Sequence, residues 1–389
     1  MSRILFAGGG TGGHLYPAIA LASAVKAERP DTEVHFVGAQ RGVEARVLPN
    51  ERQPHTLLPF EPLRRSRIWE NWKLVPSFVG SARGLSRLFR DFDPKLVVGT
   101  GGYASAPACA FALLEGVAVA VQEQNSYPGL TTRVISRWAR QVHLGFPEAR
   151  RHLKPGPSTE VSALGNPIRP PDLSLDHAAC RQAFGLRSDS TVILVVGGSQ
   201  GSRAINEALL ASVAGGGVGV GAGADRDRGS GIGDRGSWIA GVELLWATGP
   251  NHFESIRSRL SQVPNSQWVK PVAYINEMNK ALRAADIAVS RAGAMATAEL
   301  LAWGIPALLI PLPTAAADHQ THNARALSEA GAALLLLEKD LTAERLRGEL
   351  VKLAGDRQLR GRMSEAAKNR ARPEAARDIA TKLLTLLDR

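Results

Sequence analysis

Only two cysteines, Cys109 and Cys180, occur in 389 residues, which excludes a disulfide framework and a cysteine zinc site. No apolar run reaches the roughly 18 residues that a transmembrane helix needs. The longest contender, Ala104 to Val121, is interrupted by Glu115. A secretory leader is not expected either, because the first apolar run meets glycine at once and reads as a strand. These absences predict a cytosolic protein. The net charge of +11 comes without a zinc-finger or RRM signature or a basic recognition helix, so nucleic acid is not the expected partner. An anionic membrane surface remains open.

What is present begins at the first turn. Ile4-Leu5-Phe6-Ala7 opens into Gly8-Gly9-Gly10-Thr11-Gly12-Gly13-His14, five glycines in six residues and then an imidazole. A helix-compatible stretch from Pro17 to Glu28 follows. Such a strand–glycine–helix junction offers backbone N–H groups to an anion. Gly8, Gly10 and Gly13 satisfy G-x-G-x-x-G, but the second strand ends at Ala39-Gln40 without the carboxylate that would hold a ribose. No Gly-Lys-Ser/Thr follows, so this is not a P-loop. His14 at the mouth suggests chemistry on a phosphorylated ligand as well as binding.

Short β-branched runs near 3–8, 32–38, 55–60, 96–100, 118–123, 141–146 and 160–164 alternate with helical stretches, as buried parallel strands do. Gly165-Asn166-Pro167-Ile168-Arg169-Pro170-Pro171 ends that series. The pattern then restarts with Thr191 to Val196, the loop Gly197-Gly198-Ser199-Gln200-Gly201-Ser202 and a helix. The expected fold is α/β, with two Rossmann-like doubly wound domains facing a cleft. Their expected bounds are 1–167, completed by a C-terminal helix at 374–389, and 168–373. Residues 214–238, with ten glycines in 25, read as a flexible insertion.

Seven motifs in order carry a family likeness: Gly9-Gly10-Thr11-Gly12-Gly13-His14 with Pro17, Gly101-Gly102-Tyr103, Glu123-Gln124-Asn125, Gly165-Asn166-Pro167-Ile168-Arg169, Gly197-Gly198-Ser199-Gln200-Gly201, Arg291-Ala292-Gly293-Ala294, and His319-Gln320 ahead of Asn323-Ala324. Apart from the insertion, the whole chain resembles the MurG family of GT-B glycosyltransferases. The resemblance implies inverting transfer of GlcNAc from UDP-GlcNAc to the MurNAc 4-hydroxyl of undecaprenyl-pyrophosphoryl-MurNAc-pentapeptide. It also implies a peripheral place on the cytoplasmic face of the cell membrane and contact with other cell-wall synthesis proteins. Runner-up readings are another GT-B enzyme, either a glycolipid galactosyltransferase or a UDP-GlcNAc 2-epimerase.

By the same resemblance, Arg169, Ser199, Ile275, Ala294, Met295, Ala296, Thr297, Ala298, Glu299 and Gln320 bind the donor, with Thr11, Gly12, Gly13 and Asn125 lining the cleft. Ser199 and Arg169 would meet the diphosphate, Ile275 the uracil, Glu299 the ribose and Gln320 the GlcNAc. Pro313-Thr314-Ala315-Ala316-Ala317-Asp318 departs from the family in being alanine-rich. An inverting displacement needs a base, and His14 and Glu123 are the candidates, Glu123 as base or as orienter. Cofactors are not expected, nor a metal: no Asp-x-Asp of the kind that anchors a metal–nucleotide complex is recognised, and Asp225-Arg226-Asp227, which has the spacing, lies in the insertion. Tyr103 is a candidate acceptor contact. Arg64, Arg65 and Arg67 beside Trp69 form a candidate membrane contact, since tryptophan favours the headgroup region and arginine the anionic leaflet.

Overall fold

The computed structural model describes residues 2–62, 69, 75–215 and 241–388, which divide into two compact units, 1–170 with 372–389 and 171–371. In unit 1 the order is β1 (Arg3–Gly8), α1 (Gly12–Glu28), β2 (Glu33–Ala39), α2 (Glu44–Asn50), β3 (His55–Leu58), α3 (Val75–Phe92), β4 (Leu96–Gly101), α4 (Ser105–Leu114), β5 (Ala118–Glu123), α5 (Leu130–Ile135), β6 (Gln141–Leu144) and β7 (Glu160–Ser162). Unit 2 runs α6 (His177–Ala183), β8 (Thr191–Val196), α7 (Arg203–Ala214), β9 (Val242–Ala247), α8 (Phe253–Leu260), β10 (Val269–Val272), α9 (Met278–Ala284), β11 (Ile287–Ser290), α10 (Ala294–Trp303), β12 (Ala307–Leu309), α11 (His319–Glu329), β13 (Ala333–Leu335), α12 (Ala343–Gly355) and α13 (Arg357–Arg370). The chain then returns to unit 1 as α14 (Ala375–Leu384).

Each unit is built on one parallel sheet, ordered β3-β2-β1-β4-β5-β6-β7 and β10-β9-β8-β11-β12-β13. Strand alternation explains the layers. On β1, Ile4 and Phe6 join a core with α1 and α14, while Leu5 and Ala7 join the opposite core with α3, α4 and α5. In unit 2 the largest fully buried side chain, Trp246, has its indole N–H satisfied by Asn206 Oδ1 at 3.0 Å, as burial of that donor requires. In both sheets the strand order reverses beside the first strand, between β1 and β4 and between β8 and β11. Open α/β sheets bind ligands there, beyond the carboxyl ends.

Four boundaries differ clearly from expectation. β3 stops at Leu58, where Phe60 N–H turns back to the Leu58 carbonyl, and β6 and β7 are two residues shorter. The first helix starts at Gly12, not Pro17, so Pro17 lies inside it and His14 falls in its first turn. The Pro17 ring removes one donor from a turn that His14 N–H and Leu15 N–H have already opened by bonding to the Thr11 carbonyl.

His143 on β6 is fully buried, with Nε2 on Gln141 Oε1 at 3.1 Å and no partner for Nδ1 among the described residues. Burial, offset in part by Glu160 and reinforced by Lys382, lowers its pKa from the ordinary 6.5 to about 4. The folded state therefore resists protonation that the unfolded chain accepts, so stability falls as pH drops from 6.5 towards 4. Thermal melts of the wild type and His143→Gln should diverge across that window, by at most about 3 kcal/mol. Parallel pH curves would refute the linkage.

Candidate active site

In unit 1 the two glycine motifs close on one imidazole. His14 Nδ1 lies 3.0 Å from Thr11 Oγ1, and its carbonyl accepts Thr100 Oγ1–H at 2.7 Å. A Cβ at Gly101 would come within 2.7 Å of His14 Cδ2, and one at Gly102 within 2.1 Å of the Gly9 carbonyl oxygen. Both residues also have positive φ, 98° and 78°. Only glycine lets the end of β4 pass this close to the ring. Tyr103 follows, its ring against Gly10 and its phenol pKa raised by burial and by the Glu44 and Glu61 carboxylates.

Glu44 braces the loop from beneath. It is fully buried at the start of α2, and its carboxylate accepts Gly10 N–H at 2.9 Å and Ala39 N–H at 2.8 Å. Gly9, Gly38 and Gly42 surround it so closely that a Cβ at any of them would clash with its side chain. The carboxylate thus ties the ends of β1 and β2 together.

Glu123, at the end of β5, also serves its own loop. Its oxygens accept Asn125 N–H at 3.0 Å, Asn125 Nδ2–H at 3.2 Å and Gly129 N–H at 2.9 Å. Beside it, Gln124 Nε2 donates to the Thr100 carbonyl, and Asn166 links Gln122 to the Gln124 carbonyl. Three edge segments are held by that amide network.

In unit 2 a cavity of about 810 Å³ opens at the switch point between β8 and β11. Ser199, Gln200, Arg203, Arg291, Ala296 and Gln320 are among its walls. Ser202 caps α7 by accepting Ile205 N–H at 3.3 Å. Arg291 donates to Ser202 Oγ at 2.7 Å and to the Ile310 and Pro311 carbonyls at 3.1 and 3.0 Å, and it pairs with Glu338 at 2.5 Å. Neither α7 nor α10 has an acid in its first turn, and no side chain caps α10 at Gly293. Two positive helix ends and the Arg203 guanidinium suit a phosphorylated ligand. Gln320 Oε1 accepts Ala292 N–H at 3.2 Å and Leu312 N–H at 3.0 Å, which turns the donor end of its amide to other partners.

The glycosyltransferase family 28 N-terminal domain matches residues 4–144, and the C-terminal domain of that family matches residues 192–380. The chain belongs to glycosyltransferase family 28. Among curated relatives, the UDP-N-acetylglucosamine–N-acetylmuramyl-(pentapeptide) pyrophosphoryl-undecaprenol N-acetylglucosamine transferase of Salinibacter ruber is 42% identical over 100% of this chain and 97% of that protein. The enzyme of the same name from Moorella thermoacetica is 36% identical over 99% of each. The crystal structure of Acinetobacter baumannii MurG superposes with a TM-score of 0.75 at 25% identity, covering 99% of this chain and 100% of that one. The two parallel-sheet units are those of the GT-B fold.

In this family 28 chain, Ser199, Ala296 and Gln320 line the unit 2 cavity, and Ala294 is the first residue of α10. Ile275 is buried beyond β10, Thr297 is buried with its hydroxyl on the Gly293 and Ala294 carbonyls, and Met295 and Ala298 are half-buried. None of these four borders the cavity. Glu299 is half-buried in the second turn of α10, past the reach of the helix-end dipole. Arg169 is exposed in unit 1, as are Thr11 and Gly13, and Gly12 is half-buried. Asn125 is half-buried on Glu123. Trp69 is 73% exposed, whereas Arg64, Arg65, Arg67 and positions 216–238 of the insertion lie outside the described residues.

Sequence reasoning assigned no role to Glu44, Arg203 or Arg291. A signal for Glu44 existed: an acid flanked by Gly38 and Gly42 just past a strand end, where small neighbours leave room for a buried carboxylate. In the alanine-rich segment, Ala317 and Asp318 adopt left-handed conformations, with φ of 51° and 53°. Two consecutive non-glycine residues in that region store strain beside Gln320.

Proposed function

We propose that this chain transfers GlcNAc from UDP-GlcNAc to the MurNAc 4-hydroxyl of undecaprenyl-pyrophosphoryl-MurNAc-pentapeptide, with inversion. The observation that carries the reading is the unit 2 cavity, with its two uncapped or hydroxyl-capped helix starts, Arg203 and the anchored Gln320 amide. The diphosphate would lie on Ser199 and the α7 start, where charge grows as the sugar–phosphate bond breaks. Beyond the cavity wall, Ile275 and residues 294–299 of the same unit would hold the nucleoside.

The acceptor hydroxyl forms the new bond to the anomeric carbon while UDP leaves from the opposite face. Its proton passes to His14. In the tautomer whose Nδ1–H donates to the Thr11 hydroxyl 3.0 Å away, Nε2 would carry the lone pair that takes it. Glu123, saturated by N–H donors, shapes the loop that carries Asn125. Leaving-group charge is met by helix ends and guanidinium, so the reaction runs without a metal. Labelled UDP-GlcNAc with a lipid I analogue should yield the disaccharide product at the same rate in EDTA. UDP-GlcNAc alone should stay unchanged; its epimerisation would favour the runner-up enzyme. Glu299→Ala should raise the KM for UDP-GlcNAc several-fold with kcat nearly kept, and a pure kcat defect would contradict the ribose role.

The acceptor's polyprenyl tail requires the enzyme to meet the bilayer, and no helix among the described residues is long and apolar enough to cross it. The α3–α5 layer of unit 1 supports a peripheral, cytoplasmic-face reading. Leu85, Leu88 and Phe89 turn into the core, but Phe78, Val79, Leu130, Val134 and Trp138 stay exposed among Arg83, Arg87, Arg90 and Arg137. Contact with other cell-wall synthesis proteins belongs to the same reading. Changing Arg64, Arg65 and Arg67 together to Glu should weaken binding to phosphatidylglycerol vesicles and slow transfer to a lipid acceptor, but spare a short-chain soluble one. Undiminished vesicle binding would move the membrane face elsewhere.

A further inference from the structure

A second cavity, of about 430 Å³, lies at the opposite edge of the unit 2 sheet, where β11 and β12 begin. Three guanidinium groups line it. Arg283 is held by Nε–H donation to the Leu175 carbonyl at 2.9 Å, and Arg360 by Nη1 donation to the Leu353 carbonyl at 2.7 Å and the Ala354 carbonyl at 2.5 Å. Arg357, the first residue of α13, is exposed and has no hydrogen bond or ion pair among the described residues. Ser364 lies two turns further along the same helix.

The charge is not balanced from within. Asp286 is the one carboxylate among the lining residues, but it accepts Arg181 Nη2–H at 2.6 Å and Val192 N–H at 2.7 Å, so its charge is already matched by a buried arginine. Asp356 caps α13 through Leu359 N–H at 2.8 Å, outside the lining. The carbonyl end of α10 brings a partial negative charge, smaller than that of three guanidinium groups. His177 on the wall reports this field: burial first, then Arg181 and Arg283, lower its pKa despite Asp286 and Asp176.

We propose that this cavity is a binding site for a small soluble phosphate-bearing anion, held by Arg283, Arg357 and Arg360. Arginine forks match phosphate oxygens, and two of the three are already oriented by main-chain carbonyls, so little side-chain entropy is lost on binding. A compact soluble ester fits better than a lipid headgroup, because no exposed large apolar side chain borders the cavity among the described residues.

The full-length chain can be titrated with inorganic phosphate and with glycerol 3-phosphate while the His177 ring signals are followed by NMR, His177→Gln providing the assignment. Either anion should move those signals towards the imidazolium position at constant pH. Arg357→Gln, on an exposed helix start where folding is not at stake, should weaken the response at least about tenfold. Its melting temperature serves as the folding control. Unmoved His177 signals, or a wild-type titration in Arg357→Gln, would overturn the proposal. Arg357→Gln should also sediment with phosphatidylglycerol vesicles as the wild type does. A specific loss there would assign the cavity to a lipid headgroup and overturn the soluble ligand.

Discussion

Replacing His14 with alanine should lower kcat by about 10²-fold or more, the usual range for removing a general base. UDP binding should stay near normal, because the cavity proposed for the nucleotide is lined by unit 2 residues. The loop should survive the change as well: Glu44 holds Gly10 N–H, and the Thr100 hydroxyl bonds to the His14 carbonyl, which alanine retains. Thr11→Val should mimic part of the defect by removing the hydroxyl that faces Nδ1. Steady-state kinetics on a lipid I analogue, with UDP affinity measured separately, decides the matter. Turnover close to wild type in His14→Ala would remove the imidazole from the proton path and turn attention to Glu123.

The second large effect is expected at a residue that touches no substrate. Glu44→Ala strips the half-buried Gly10 and the buried Ala39 N–H groups of their acceptor and leaves a void among three glycines. Each orphaned donor costs about 1–3 kcal/mol, so the two together put the expected loss of stability at about 2 kcal/mol or more. Glu44→Gln keeps the volume but turns an NH₂ group towards one of the two donors, so it should recover only part of that loss. In both variants kcat should fall more than UDP affinity, since the displaced loop carries His14. Chemical denaturation together with kinetics tests this. Unchanged stability in Glu44→Ala would mean that the loop closes without its carboxylate.

The order of elements in unit 1 was readable because its sheet is parallel and buried on two faces, which leaves short apolar runs such as Leu96-Val97-Val98 between helical stretches. Glycine at strand ends marked both ligand edges for the same reason: a close approach such as Gly102 on Gly9 excludes any side chain. The start of α1 was misplaced because proline usually marks a first turn, and here the Thr11 carbonyl opens the helix earlier. Long-range pairings were illegible. Glu44 meets Gly10 across 34 residues and Arg291 meets Ser202 across 89, and no local periodicity encodes either. The inward turn of Leu85, Leu88 and Phe89 was equally hidden, since an amphipathic helix presents the same pattern to a core as to a bilayer.

The return of α14 to unit 1 has a consequence for synthesis. Ile379, Ala380, Leu383 and Leu384 close the core behind α1, packing with Leu15, Ala18 and Leu21 of the helix whose first turn carries His14. A ribosome releases those residues after all of unit 2, so residues 171–371 have everything they need to fold while the earlier unit still lacks one wall. Unit 1 is thus begun first and finished last, and the apolar back of α1 stays uncovered until α14 emerges.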